Sequence, residues 1–244
     1  MRVALFADGF VGVQIAKYLS EHFPEDLILV VTIARNEIFD FAQSSGIPAC
    51  VFDDEVQMSA RLSEDCELGV LAWWPKLLKA PLLEVPRYGF INTHPSMLPY
   101  NRGKHYNFWA LVEQAPFGVT LHRVDPGVDT GEIVAQQEIA YNWEDTGGSL
   151  FFKAREAMLD LFKKTYPTLR TGEIQSTPQP RDDGSSHHSS ELEMASHIDL
   201  DRSYRARDLL NLLRARTFEG HPGCWFEDAG EQYEISIKMK RIKK

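Results

Sequence analysis

No stretch of this chain approaches the roughly 20 consecutive apolar residues that a membrane-spanning helix needs, so no bilayer span is expected. Cysteine is scarce. Cys50, Cys66 and Cys224 are far apart, odd in number and form no Cys-x-x-Cys pair. That excludes a thiolate metal knuckle and a disulfide framework, and makes a reducing cytosol the expected compartment. Positive charge is not in excess either. The formal net charge of −9 argues against broad nucleic-acid binding, which depends on neutralising many phosphates, but leaves room for a pocket that takes one anion. The glycine pattern after the first apolar run is Gly9-x-x-Gly12, short of the full dinucleotide fingerprint. Both glycines are read instead as letting a strand and a helix approach closely. The apolar start at residues 1–7 is too short for a signal peptide and meets Asp8 at once. Internal repeats are absent.

What is present is ordinary globular material. With 244 residues, 43% hydrophobic and 25% charged, the chain suits one large domain, or one domain with a small appendage. Apolar and β-branched runs at 2–7, 27–33, 49–52 and 68–72 alternate with helical spacing at 11–19, 36–44 and 56–64. Such alternation implies an α/β fold, a Rossmann-like, mostly parallel sheet with helices on both faces. A short helix is expected at 76–85, then a strand at 88–93, a helix at 105–113 and strands at 118–124 and 132–139. Asp145-Thr146 caps a long helix expected to end near Tyr166, just before Pro167. Residues 172–196 turn polar and read as a mobile connection, with His187-His188 as solvated loop residues rather than metal ligands. Beyond them comes a helix capped by Ser203 and running through Leu213, then a hairpin around residues 227–231. The expected division is a domain at 1–180, followed by a linker and small C-terminal α+β unit at 181–244. The basic tail at 238–244 reads as edge protection or a frayed end.

The stretch at residues 90–105 opens as a buried strand and then breaks into residues of special geometry. Asn92 and His94 lie two apart, so both project from one side of that strand. At a strand's carboxyl end they stand where open α/β sheets hold their ligands. Trp73-Trp74-Pro75 ends another strand, where the rings either wall a pocket for a flat ring or sugar or cap the core. The loop Asp125-Pro-Gly127-Val-Asp129-Thr-Gly131 crowds glycine, proline and carboxylates into a tight turn able to present backbone groups to a ligand.

Two motifs carry a resemblance. Asn92-Thr-His94-Pro95-Ser96-Met-Leu98-Pro99-Tyr-Asn-Arg102-Gly103 and Asp129-Thr-Gly131-Glu-Ile133 resemble those of the formyltransferases that use N10-formyltetrahydrofolate. The likeness covers residues 1 to about 171, with Met97 where the family usually has Leu. It implies a catalytic set of Asn92, His94 and Asp129 and a folate co-substrate, with no metal. The pterin is then expected among backbone groups near Leu77, Leu78 and Leu83 and along Val124, Asp125, Gly127 and Asp129. The residues suit the chemistry on their own terms. An amide donates to the oxyanion formed when an amine attacks a formyl carbon, an effect typically worth about 3 kcal/mol. An imidazole takes the amine's proton or helps hold the oxyanion, and a carboxylate steadies the imidazolium or relays the proton through water.

The acceptor amine is read from a second set of likenesses. Residues 101–109, 116–120 and 124–131, with the compact C-terminal unit, resemble enzymes that formylate nucleotide-linked amino sugars. Arg102, Lys104 and His105 form a cationic patch suited to a diphosphate, beside Tyr106 and Asn107. Trp73, Trp74, Tyr106 and Trp109 offer planar surfaces, although Trp109 is equally placed for a helix core. The expected acceptor is a dTDP-amino-dideoxyhexose, foremost dTDP-4-amino-4,6-dideoxyglucose, in surface polysaccharide (O-antigen) synthesis. UDP-linked and 3-amino sugars remain open. Methionyl-tRNA formyltransferases carry a larger C-terminal barrel, and glycinamide ribonucleotide transformylases are shorter. By resemblance the C-terminal unit makes a homodimer, with no nucleic-acid or membrane partner. A non-catalytic folate or nucleotide-sugar binding protein is the competing class, and it has no need of Asn92, His94 and Asp129 together.

Overall fold

The computed structural model describes residues 1–62, 65–180 and 183–242. Its elements in chain order are β1 (Val3–Ala7), α1 (Gly9–His22), β2 (Leu27–Thr32), α2 (Glu37–Ser44), β3 (Ala49–Val51), α3 (Glu55–Leu62), β4 (Leu68–Ala72) and β5 (Phe90–His94). There follow β6 (Arg102–Gly103), α4 (Tyr106–Glu113), β7 (Gly118–Arg123), β8 (Ile133–Glu138) and α5 (Gly147–Leu169). The chain closes with β9 (Ser186–His187), α6 (Glu191–Ala195), α7 (Ala206–Arg216), β10 (Cys224–Asp228) and β11 (Glu231–Ile235). Two compact units interleave along the sequence. One comprises Met1–His94, Val119–Gln137 and Ala157–Gln179; the other comprises Pro95–Gly118, Glu138–Glu156 and Pro180–Lys244.

The first unit is built on a seven-stranded sheet in the order β3-β2-β1-β4-β5-β7-β8. The pairs from β3 to β5 are parallel, and β5 with β7 is antiparallel. The expected mostly parallel sheet is therefore present. β1 and β4 are buried along their whole length, as the continuous apolar runs require of strands covered on both faces. Phe6 anchors an aromatic cluster, with ring centroids 5.3 Å from Trp74 and 5.5 Å from Phe90, both edge-on. Of the two early glycines only Gly12 serves close approach: a Cβ there would lie 3.0 Å from that of Ala7. Gly9 has open space around it and instead supplies a positive φ.

Two expected helix boundaries move. The helix expected at 76–85 shrinks to one 3₁₀ turn, Leu82–Glu84, because Pro81 and Pro86 offer no backbone N–H. The helix expected to stop at Tyr166 runs on through Pro167 to Leu169. Pro167 leaves the carbonyl of Lys163 without its helical donor, and the Tyr18 hydroxyl donates to it at 3.3 Å. The helix expected at 56–64 is described only to Leu62, and Ser63 and Glu64 lie outside the described residues.

In the second unit, α7 starts at Ala206 with Arg205 as its cap, later than the expected Ser203, and continues to Arg216. Arg214 is buried and satisfied: its guanidinium donates to Asn211 Oδ1 at 2.9 Å and to the carbonyls of Asn142 and Asp145. The expected hairpin forms as β10 against β11, with Ala229 and Gly230 both at positive φ in the two-residue turn. Ile198, Leu213 and Cys224 make a small core beneath it, with Phe226 and Ile235 packed alongside. The stretch at 172–196, expected to be a mobile connection, carries β9 and α6, and Thr177 within it bridges to Ile133. Of the basic tail, Lys243 and Lys244 lie outside the described residues. Among the described residues no helix is long and apolar enough to cross a membrane.

Asp26, just before β2, ties the end of α5 to the sheet. Its carboxylate accepts from the Tyr166 hydroxyl at 2.8 Å and from Arg170 Nε and Nη2 at 2.7 and 3.0 Å. Burial raises its pKa, but the bonds from Arg170 and Tyr166 outweigh that and hold it below the usual carboxylate value. A depressed pKa contributes stability above the unfolded value of about 4 and loses it as pH falls through the folded value. Asp26→Asn is therefore expected to lower the unfolding free energy near pH 7 by about 2–3 kcal/mol, discounted because Arg170 is partly exposed. Urea titrations from about pH 7 to about pH 3 should show the gap from wild type closing at the acid end.

Candidate active site

The site in the first unit starts from the ladder between β5 and β7. Its register sets Asn92 opposite His122 and His94 opposite Thr120. Directly opposed residues of an antiparallel pair share a face, so all four side chains point the same way. Thr93, facing the other side, accepts at its hydroxyl from the Trp73 N–H and donates to the Leu71 carbonyl, both at 3.0 Å. Those bonds hold the end of β4, where Trp73 sits at a positive φ of 53°.

Asp129 comes to this face from the loop after β7. It too has a positive φ, 53°, uncommon for a residue with a side chain. The loop is folded by its own polar groups: Asp125 Oδ1 accepts from the Gly127 N–H at 3.0 Å and from the Thr130 hydroxyl at 2.7 Å. A Cβ at Gly131 would stand 1.8 Å from the Arg123 carbonyl oxygen, so no larger residue fits there without moving backbone. Gln179 Nε2 donates to the carbonyls of Asp129 and Gly131 at 2.8 and 2.7 Å and pins the loop from a distant part of the chain.

The result is a carboxylate with three side-chain nitrogens close to it. Asp129 Oδ2 lies 3.4 Å from His94 Nδ1, while Oδ1 lies 3.3 Å from Asn92 Nδ2 and 3.5 Å from His122 Nε2. His94 and His122 are buried and Asn92 is half-buried, so these groups meet where water screens them weakly. Such a group can hold a proton on an imidazole, stabilise the imidazolium with a carboxylate, and offer an amide N–H to a developing negative charge. Among the described residues no cluster of His, Cys, Asp and Glu could hold a metal ion.

Asn92, His94 and Asp129, inferred from separate motifs, are thus brought together. Val124 packs against the core and its N–H donates to the Phe90 carbonyl at 2.9 Å. Leu77 is exposed, Leu83 half-buried and Leu78 buried. Trp74 takes the core placement of the two expected for it: it stands edge-on to Phe6 and Phe52 within the aromatic cluster.

The second unit holds the other candidates. Arg102 is half-buried in β6, and Lys104 is exposed. His105 is half-buried, and desolvation, then the charges of Arg216 and Lys104, lower its pKa. Tyr106 is half-buried, with its phenol pKa pushed up by desolvation. Asn107 Nδ2 donates to the Gly147 carbonyl at 2.9 Å. His187 is not a solvated loop residue. Its ring stacks on Trp109 at 3.8 Å and lies between Glu113 and Glu191, at 2.8 and 3.1 Å. His188, its neighbour, is exposed.

His122 and Gln179 were not singled out in the sequence. A signal for His122 existed: Thr120 and His122 are polar residues two apart, alternating with Val119 and Leu121 in that strand. Gln179 has no local signal, because its partners are some fifty residues away.

An open α/β sheet with an amide, an imidazole and a carboxylate gathered on one strand face defines a class of proton-handling group-transfer site. The particular assignment comes from comparison. Residues 28–165 match the Formyl transferase family and residues 191–241 match the N-formyltransferase dimerization C-terminal domain, and the chain belongs to the formyl transferase family. It is 28% identical over 187 residues to a dTDP-4-amino-4,6-dideoxyglucose formyltransferase of Mycobacterium tuberculosis, covering 77% of each chain. A solved sugar N-formyltransferase from a Shewanella species superposes with a TM-score of 0.82 at 21% identity, covering 100% of this chain and 99% of that one. A formyltransferase from Anoxybacillus kamchatkensis, solved with UDP-4,6-dideoxy-4-formamido-L-AltNAc and tetrahydrofolate, gives 0.59 at 25% identity, covering 80% and 89%.

Losing the two bonds from Gln179 should loosen the Asp129 loop without unfolding the sheet. In Gln179→Leu, amide exchange across residues 127–131 is expected to quicken about tenfold, the equivalent of one or two net hydrogen bonds. Exchange in β1 and β4 should stay at the wild-type rate, as mass spectrometry would report.

Proposed function

We propose that this chain is a cytoplasmic, homodimeric sugar N-formyltransferase. It moves the formyl group of N10-formyltetrahydrofolate to the amine of dTDP-4-amino-4,6-dideoxyglucose, in the synthesis of a surface polysaccharide such as O-antigen. The observation that carries the reading is the convergence of Asn92 and His94 on Asp129, at 3.3 and 3.4 Å. The relative's dTDP-4-amino sugar and the tetrahydrofolate bound to the Anoxybacillus protein support the choice of substrates. The match of residues 191–241 to a dimerization domain supports the homodimer and a separate role for 181–244 beside a catalytic 1–180.

In this reading the residues divide the work. Asn92 donates an amide N–H to the formyl oxygen as negative charge develops there, a donor typically worth about 3 kcal/mol in the barrier. His94, with Nδ1–H toward Asp129, has Nε2 as its basic nitrogen and takes the proton of the attacking amine. Asp129 steadies the resulting imidazolium and keeps the ring in one tautomer. Separations of 3.3–3.4 Å are long for hydrogen bonds, as is common before substrates close a site. Arg102 and Lys104 meet the diphosphate, with Tyr106 and Asn107 nearby in sequence and Trp73 offering a flat face. Backbone groups at 77–83 and 124–129 receive the pterin. The intact set of three favours catalysis over folate or nucleotide-sugar binding alone.

The test is kinetic. Asn92→Ala is expected to lower kcat about 10²–10³-fold and His94→Ala about 10²–10⁴-fold, with nucleotide-sugar binding nearly unchanged. Wild-type-like turnover in either variant would remove this mechanism. Incubation with formyl-folate and a panel of dTDP- and UDP-linked amino sugars, read by mass spectrometry for the formyl mass gain, assigns the acceptor. No gain with any sugar would return the question to ribonucleotide and tRNA acceptors.

A further inference from the structure

We infer that His122 is a positioning residue, which fixes the Asn92 amide with one N–H turned into the reaction space. The inference rests on formyl transfer at this site. His122 is buried, opposite Asn92 across the β5–β7 ladder. Its Nδ1 lies 2.7 Å from the carbonyl oxygen of Arg123. A carbonyl oxygen only accepts, so Nδ1 carries the hydrogen. In the neutral ring Nε2 is then a lone-pair acceptor, and it stands 3.1 Å from Asn92 Nδ2. One amide hydrogen is therefore committed to His122. The other points along the 3.3 Å line to Asp129 Oδ1, on the side where the carboxylate and His94 meet. The arrangement also sets which end of the amide is the nitrogen. A rotated amide would turn its oxygen toward Asp129 and toward any developing oxyanion, with repulsion in place of a hydrogen bond.

The tautomer matters because a protonated His122 presents Nε2–H to Asn92 Nδ2, a donor to a donor. Charged or titratable groups near the ring among the described residues include Asp129, 3.5 Å from Nε2, and His94, whose ring centroid lies 6.1 Å away. The guanidinium of neighbouring Arg123 is directed elsewhere, to the carbonyls of Tyr88 and Ile174 and to Ser176. Nothing in this geometry requires His122 to touch either substrate. It acts through Asn92.

Two variants and one spectrum test this. His122→Leu removes the acceptor while filling the space, and His122→Gln places an amide oxygen near the position of Nε2. The Leu variant is expected to lose about 10–100-fold in kcat with both KM values within about twofold of wild type, and the Gln variant to regain about tenfold. Independently of activity, ¹⁵N NMR of the labelled wild-type protein should show His122 protonated at Nδ1 and unprotonated at Nε2 near pH 7.5. A proton on Nε2, or an unchanged kcat in a folded His122→Leu protein, overturns the inference. So does equal loss in the Leu and Gln variants, which would mark a merely structural ring. A wild type that formylates no amino sugar would instead overturn the functional reading, and the spectrum would still decide the tautomer.

Discussion

The antiparallel ladder between β5 and β7 sets Asn92 against His122 and His94 against Thr120. A slip of one residue would turn every one of these side chains to the opposite face. The remaining strand pairs from β3 to β5 are parallel, with both faces of β1 and β4 buried. The antiparallel pairing of β7 with β5 brings two pairs of polar residues into direct opposition.

The carboxylate that completes the group depends on a different constraint. Asp129 is held at positive φ in a loop whose shape is enforced by Asp125 within it and by Gln179 outside it. Side chains rarely adopt such backbone geometry unless their surroundings impose it. Here the imposing contacts are hydrogen bonds from Gln179 to the loop's carbonyls and, within the loop, to the Asp125 carboxylate, together with Gly131, whose missing side chain lets the Arg123 carbonyl pass. A pre-formed carboxylate does not have to be reorganised when charge moves, which is the physical advantage of holding it in place beforehand.

Much of the framework was legible in the sequence. Continuous apolar runs alternating with helical spacing identify buried parallel strands, and the spacing of Asn92 and His94 identifies a shared face. The hairpin of β10 and β11 was legible from its turn residues. Three of the misreadings share a cause. α5 passes Pro167 because Tyr18, far away in sequence, satisfies the carbonyl that proline strands. Trp74 is a core residue because Phe6 and Phe52 meet it edge-on. His187 is engaged because Trp109, Glu113 and Glu191 enclose it. In each case the deciding partner lies outside the window in which propensity is read.

Residue types and their spacing by themselves determined the α/β class, the chemistry available to an amide, an imidazole and a carboxylate, and the family to which their motifs point. Only the tertiary structure decided that the Asp129 carboxylate stands between Asn92 and His94, and that His122 faces the same amide. Local sequence controls which way a side chain leaves its own strand, through backbone dihedrals of period two. Which side chains then stand within hydrogen-bonding distance is controlled by strand order, register and loop closure, and those are properties of the packed chain.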